Sequence, residues 1–231
     1  MSNRTALSVA VIMVLVVLYG AMRGDRSSGH QDAEAFTPPP SLLQQEMTIA
    51  GIEKVQEVGH VRGADDAPVI VIEFSDFGCP YCGMFAIGTY PTLHDEYVAT
   101  GKVQWRLVPF VMGTFPNGAE AARAAECATE QGEDAFWAMH DLIYERQTGW
   151  KSTRTPESLF RRFAAEIGLD ETQFASCYQE NRSGTRVEAS NALAAQAGVR
   201  ATPTFFVNGR AVQGALPVEQ FRMILDASGA R

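Results

Sequence analysis

Pro68-Val-Ile-Val-Ile-Glu-Phe-Ser-Asp-Phe-Gly-Cys-Pro-Tyr-Cys82 is the stretch that decides how this chain is read. Residues 68–74 are rich in β-branched side chains and long enough for a buried strand, and a helical segment begins at the two cysteines. A strand therefore runs into a helix through a turn that carries two thiols three positions apart. A thiol in the first helical turn faces backbone N–H groups that have no helical partner and the positive end of the helix dipole, so its thiolate is favoured. On this reading Cys79 is the nucleophile. Cys82, one turn further in, is more buried and stays protonated, poised to attack a mixed disulfide formed at Cys79. Pro80 suits the first helical position, where its missing N–H costs nothing.

The C-x-x-C spacing alone also fits half a zinc site or an inert structural disulfide. A structural zinc site needs four ligands, and the chain offers no second C-x-x-C and no pair of histidines at the usual spacing, only the distant Cys127 and Cys177. No metal is expected. The strand, motif and helix together favour redox chemistry.

Two motifs carry a resemblance to a known family. Glu73-Phe-Ser-Asp-Phe-Gly-Cys-Pro-Tyr-Cys82, followed far downstream by Gly198-Val-Arg-Ala-Thr-Pro-Thr-Phe-Phe-Val-Asn-Gly209, resembles the DsbA-type thiol:disulfide oxidoreductases of the thioredoxin superfamily, over roughly residues 56–229. The resemblance implies an α/β thioredoxin fold with an inserted α-helical subdomain. It implies Cys79 and Cys82 as the catalytic pair, Pro80 and Tyr81 as the active-site dipeptide, and no cofactor. It also implies that Pro203 is a cis-proline across from Cys79. The backbone of Thr202 beside it would then pair with an extended substrate segment, a main-chain mode that recognises many sequences. Glu73 sits inside the strand, where a carboxylate is expensive without a partner or a task. The residues alone allow an exposed strand face, whereas the resemblance implies a buried carboxylate that relays a proton for Cys82. Asp76 is read as a helix-entry residue nearer the surface.

Length and charge bound the remaining possibilities. The chain has 231 residues and a formal net charge of -8, with acidic and basic residues interspersed, which excludes a basic nucleic-acid surface. Residues 6–22 are apolar apart from Ser8, with Arg4 before them and Arg23 and Arg26 after them. That length and the lack of small residues at a cleavage position favour an uncleaved signal anchor over a cleaved signal peptide. Because charge flanks both ends, orientation is taken from the chemistry, which places a disulfide-forming domain outside the cytosol.

Taken in order, the chain divides into a short flank at 1–5, a transmembrane anchor at 6–22, an extracytoplasmic tether at 23–55 that includes Pro38-Pro39-Pro40, a first thioredoxin-like part at 56–111, the helical subdomain at 112–183 and a second thioredoxin-like part at 184–231. A first edge strand is expected somewhere in 49–61. The active-site helix should run over 79–98, with Pro91 kinking or breaking it, and a strand should follow at 103–108. Helices are expected over 119–130 and 134–146, and another opens at Thr155-Pro156 and closes at Gly168. Asp170 caps the next with Gln173 at its third position, flanked by Leu169 and Phe174 as a hydrophobic staple. Phe136, Trp137, Phe160, Phe163 and Phe174 read as the core of this subdomain. Cys127 and Cys177 fall in two of its helices; in an oxidising compartment they are expected to form a structural disulfide, with two buried free thiols as the alternative. A helix over 186–197 returns the chain to a hairpin turned by Asn208-Gly209, and a final helix spans 216–228. The histidines, His60 among them, are given no catalytic part.

These readings combine into a membrane-anchored, extracytoplasmic, monomeric protein-disulfide oxidase. Its partners would be reduced, cysteine-bearing secreted or envelope proteins and, by the resemblance, a membrane quinone-linked reoxidation partner. Tyr81 and Thr202 stand where the best-known family pattern has His and Val, so a reductase or isomerase of the same fold is the alternative within the class. A non-redox tethered binding or holdase module is the alternative outside it.

Overall fold

The computed structural model describes residues 49–231, so the expected flank, the anchor and most of the tether lie outside the described residues. Among the described residues no helix is long and apolar enough to cross a membrane. The first element is a helix, α1 (Ile49–Val58), followed by a short strand, β1 (His60–Arg62). The edge strand sought in 49–61 is therefore confined to its last residues. Apolar positions three apart make the rest helical, and Val55 is fully buried, so ordered structure crosses the boundary drawn at 55.

The sheet has five strands in the order β1-β3-β2-β4-β5, with β2 (Val69–Ser75), β3 (Val103–Pro109), β4 (Thr204–Val207) and β5 (Arg210–Gln213). β2 lies parallel to β3 and antiparallel to β4, which pairs antiparallel with β5. Asn208 and Gly209 both take positive φ, 47° and 85°, as the two-residue hairpin turn requires. The Asn208 side-chain oxygen also accepts the Ile70 N–H at 2.8 Å, which pins the hairpin to the central strand.

Alternation along β2 sorts its side chains onto two faces. Ile72 and Phe74 join Val55, Val108, Leu193 and Phe206 under α1 and α8 (Gly184–Gln196). Val69 and Val71 face the larger core, and the period places Glu73 and Ser75 on that same side. This side is covered by α2, which runs over 80–98, by the helices of the central segment and by α9 (Val218–Ala227). Pro91 does not break α2. The helix widens into a π turn at Phe85–Thr89, resumes as α at Tyr90–Leu93 and widens again at His94–Val98. Pro91 thus enters at the start of a fresh α turn, where its missing N–H has no partner to lose.

The central segment holds α3 (Gly118–Ala128), α4 (Glu133–Glu145), α5 (Gln147–Lys151), α6 (Pro156–Glu166) and α7 (Glu171–Gln179). Phe136, Trp137, Phe160, Phe163 and Phe174 are all buried here, in a cluster continuous with the core above the sheet. Asp170 accepts the Gln173 N–H at 2.8 Å as an N-cap, with Leu169 and Phe174 packed beside it. Thr155 holds the corresponding position of α6 but makes no side-chain cap bond. Cys127 and Cys177 are bonded, S–S 2.00 Å, joining α3 to α7 across 50 residues of sequence. Closing a loop of that length stabilises the fold by roughly 4 kcal/mol on a chain-entropy account.

His60 is wholly buried, which the sequence did not signal. Its ring stacks on Phe136 at 3.3 Å, and its two nitrogens lie 3.2 Å from Glu126 and 3.2 Å from Glu133. Glu126 also accepts Arg186 at 2.8 Å. Burial alone would lower the His60 pKa, but the hydrogen bonds and charges of the two glutamates hold it above its ordinary value. The cluster ties β1 to α3, α4 and α8.

Candidate active site

The strand-to-helix turn after β2 is built by side chains from three directions. Cys79 occupies the N-cap of α2 in extended conformation (φ -73°, ψ 124°), and Pro80 opens the helix. Asp76 is buried, not near the surface as expected, because its carboxylate closes two loops: one oxygen accepts the Gly78 N–H at 2.8 Å, the other the Met112 N–H at 2.8 Å. Burial pushes its pKa up. Position 78 must be glycine, since a Cβ there would lie 2.4 Å from Phe115 Cβ. From the far side, Gln147 at the start of α5 donates to the carbonyls of Phe77 at 2.7 Å and Cys79 at 2.8 Å.

Both thiols are free, and their surroundings push them apart. A hydrogen bond from Cys82 lowers the Cys79 pKa most; burial opposes it, and bonds from the Thr202 side chain and the backbone N–H groups of Cys82 and Tyr81 add to the lowering, leaving it at about 5. For Cys82, burial comes first, then its hydrogen bond to Cys79 and the charge there, and its pKa is driven well up. The two causes are linked: a proton on Cys82 is what solvates the charge on Cys79. When protonated, Cys79 donates to the Thr202 carbonyl at 3.4 Å. The Thr202–Pro203 peptide bond is cis, and it brings this carbonyl against the cysteine. Only 2 % of Cys79 is exposed, whereas Tyr81, Met84 and Ile87 are open along α2.

Glu73 is 3 % exposed, which removes the exposed-face reading. Trp105 Nε1–H donates to its carboxylate at 2.9 Å. Burial pushes its pKa up to about 7 against the opposing hydrogen bonds of Ser75 and Trp105. Next to it the Ser75 and Tyr144 hydroxyls are 2.9 Å apart. Among the described residues no group of three or more His, Cys, Asp or Glu is arranged to hold a metal ion.

Structure thus gathers Glu73, Cys79, Pro80, Tyr81, Cys82, Thr202 and Pro203 at one end of the sheet, while Cys127 and Cys177 are bonded to each other. Sequence reasoning missed Gln147, Trp105, Ser75 and Tyr144. Ser75 had a signal, since it shares the face of Glu73 at a spacing of two; the others reach the site only through tertiary packing.

A pair of thiols at the start of a helix, opposite a proline-bearing loop on a mixed sheet, with a helical segment inserted beside it, is the arrangement of a thioredoxin fold with a helical insertion. The thioredoxin family model matches residues 55–227, and the chain belongs to that family. It is 39% identical over 160 residues to the Na(+)/H(+) antiporter NhaA 3 of Salinispora tropica, covering 69% of this chain and 23% of the antiporter. The chain spans about a quarter of the length of such antiporters. It is 27% identical over 176 residues to disulfide bond formation protein D of Bacillus subtilis, covering 72% of this chain and 75% of that protein. The fold superposes on that of oxidised BdbD from Bacillus subtilis with a TM-score of 0.69 at 23% identity, over 81% of this chain and 97% of the other. It superposes on Wolbachia pipientis α-DsbA1 with a TM-score of 0.64 at 21% identity, over 73% and 89%.

Proposed function

We propose that this chain is an extracytoplasmic thiol:disulfide oxidoreductase that donates disulfides to reduced cysteine-bearing secreted or envelope proteins through Cys79 and Cys82. The observation that carries the reading is the placement of the two thiols: Cys79 caps the start of α2 against the Thr202 carbonyl of the cis-proline loop, while Cys82 is fully buried one turn in, an arrangement that lowers the Cys79 pKa and raises that of Cys82. A substrate thiolate attacks Cys79 Sγ of the oxidised pair. The Cys79–Cys82 bond breaks, and its electron pair leaves on Cys82, which takes a proton; our candidate for supplying it is Glu73, whose burial and raised pKa support the reading. A second substrate thiolate then attacks the substrate sulfur of the mixed disulfide, the substrate disulfide forms, and Cys79 leaves as a thiolate. Two electrons end on the enzyme dithiol.

Stabilising that leaving thiolate stabilises the reduced enzyme, which is what makes a dithiol pair an oxidant. The competing route, in which Cys82 attacks the mixed disulfide and expels the substrate unchanged, needs a Cys82 thiolate that the raised pKa disfavours. The Thr202 backbone beside Cys79 supports main-chain pairing with an extended segment, and the nearly closed Cys79 suits a slim chain better than a broad folded surface. The chemistry calls for no cofactor. Residues 6–22 would anchor a monomer with its catalytic domain outside the membrane, within reach of a quinone-linked partner that reoxidises the dithiol.

The test is trapping. With Cys82→Ala no internal disulfide can form, but the Cys79 thiolate can attack a disulfide of an exported protein, the reverse of the donating step; one substrate sulfur leaves as a thiolate and the mixed disulfide cannot be resolved from within, so non-reducing gels of cells carrying the variant should show adducts with exported proteins that vanish on reduction. No adduct would leave only a binding module. Equilibration of the wild-type pair with glutathione then sets direction: a predominantly reduced enzyme at the poise of an oxidising compartment supports the oxidase, and a predominantly oxidised one supports the reductase or isomerase.

A further inference from the structure

Gln147 belongs to no motif, yet it makes the closest side-chain contact between the helical segment and the turn that carries Cys79. It stands where the chain breaks between α4 and α5, after Arg146 at φ -107° and ψ 22°. Its amide nitrogen spends both hydrogens on the carbonyls of Phe77 and Cys79, at the two ends of the turn Phe77-Gly78-Cys79, at 2.7 and 2.8 Å. The Cys79 carbonyl also receives the Gly83 N–H at 3.1 Å, the first bond of the active-site helix. The Gln147 side chain lies against Gly83 itself: a Cβ built there would meet its Oε1, Nε2 and Cδ at 3.0, 3.1 and 3.2 Å.

We propose that Gln147 is a positioning residue that sets the acidity of Cys79. Two physical effects act in the same direction. The clamp fixes the Cys79–Pro80 peptide and, one residue before Cys79, the Phe77–Gly78 peptide, and with them the path of the turn that aims its sulfur at the Tyr81 and Cys82 N–H groups. It also places the positive end of an amide on two carbonyl dipoles whose negative ends would otherwise add to the potential around the thiolate. The helical segment thereby does more than cover the core: it tunes the nucleophile through one side chain. A Cβ at position 83 would press on the Gln147 amide and push it by a few tenths of an ångström.

The proposal rests on Cys79 being the reactive thiol but not on the direction of the reaction or on its substrates. Its test is the pKa of Cys79 in the reduced full-length protein, followed by thiolate absorbance and by iodoacetamide rate against pH. Gln147→Ala should raise that pKa by about one unit, tenfold in the thiolate ratio. Gln147→Glu, which replaces the donor by a charge of the wrong sign, should raise it further. Gly83→Ala should give a shift like that of Gln147→Ala, and in the double variant the two should not add. An unchanged Cys79 pKa in Gln147→Ala, whatever the loss of stability, would overturn the proposal. So would equal values for Gln147→Ala and Gln147→Glu, or a Gly83→Ala shift that persists in full without Gln147. Failure of the Cys82→Ala variant to trap adducts would sink the enzyme reading while leaving these pKa shifts measurable.

Discussion

Replacing Glu73 by glutamine should stabilise the protein, and by an amount that depends on pH. Glu73 is buried beneath the motif with Trp105 as hydrogen-bond donor, and its pKa rises from 4.5 to about 7. The folded chain therefore holds this proton more tightly than the unfolded chain does, so stability falls as pH climbs from 4.5 through 7 and levels off above. At 1.36 kcal/mol per unit, the full loss is about 3 kcal/mol. Glutamine keeps a carbonyl for Trp105 and carries no charge. Glu73→Gln should thus match the wild type at about pH 4 and exceed it by about 3 kcal/mol at about pH 8 in urea denaturation of the reduced proteins. Every other titrating group is common to both chains and drops out of the difference to first order. A difference that stays constant across the range would refute the reasoning, since it would mean that Glu73 titrates alike in the folded and unfolded chains.

The reduced protein should be more stable than the oxidised one near neutral pH, because only the reduced form holds the stabilised Cys79 thiolate. After allowance for solvent screening beside the motif, the gap should be about 1–2 kcal/mol and should shrink as pH falls towards 5, as denaturation of the two forms would show. His60→Ala should cost about 3 kcal/mol, because it strips the buried Glu126 of one of its two cationic partners and Phe136 of its stacked ring. Its sign is opposite to that of an ordinary carboxylate pair: the His60 pKa is raised, so the stabilisation is complete below 6.5 and is lost as pH rises through the folded value. The cost of His60→Ala should therefore be largest in mild acid, and a cost that grows with pH would contradict the assignment.

Much of the site was legible because local rules and the tertiary structure agree there. Pro80 in the first helical position, Cys79 just outside it and an apolar strand leading in are local signals, and the structure keeps all three. The Asn208-Gly209 hairpin and the Asp170 cap are of the same kind. Pro91 does not end the helical run, because a π turn before it interrupts and re-registers the α hydrogen-bond ladder, an adjustment the residue types do not announce. The segment 49–58 has too few residues for its helical period to outweigh the expectation of a strand. Asp76 looked like a surface residue because its two partners, the Gly78 and Met112 N–H groups, are backbone and leave no trace in residue identity. Gln147 and His60 acquire their roles from contacts 68 and 66 residues or more distant in sequence, where no spacing rule reaches.

The central claim is that the backbone and Cys82 make Cys79 acidic, and the rate of its alkylation by iodoacetamide as a function of pH measures this directly. With the reduced protein and Cys82 monitored separately by mass spectrometry, the rate at Cys79 should rise through a midpoint at about 5 and plateau well below neutrality, while Cys82 remains unmodified. A midpoint near 9.0, the ordinary value for a cysteine, or equal labelling of the two thiols, would contradict the account.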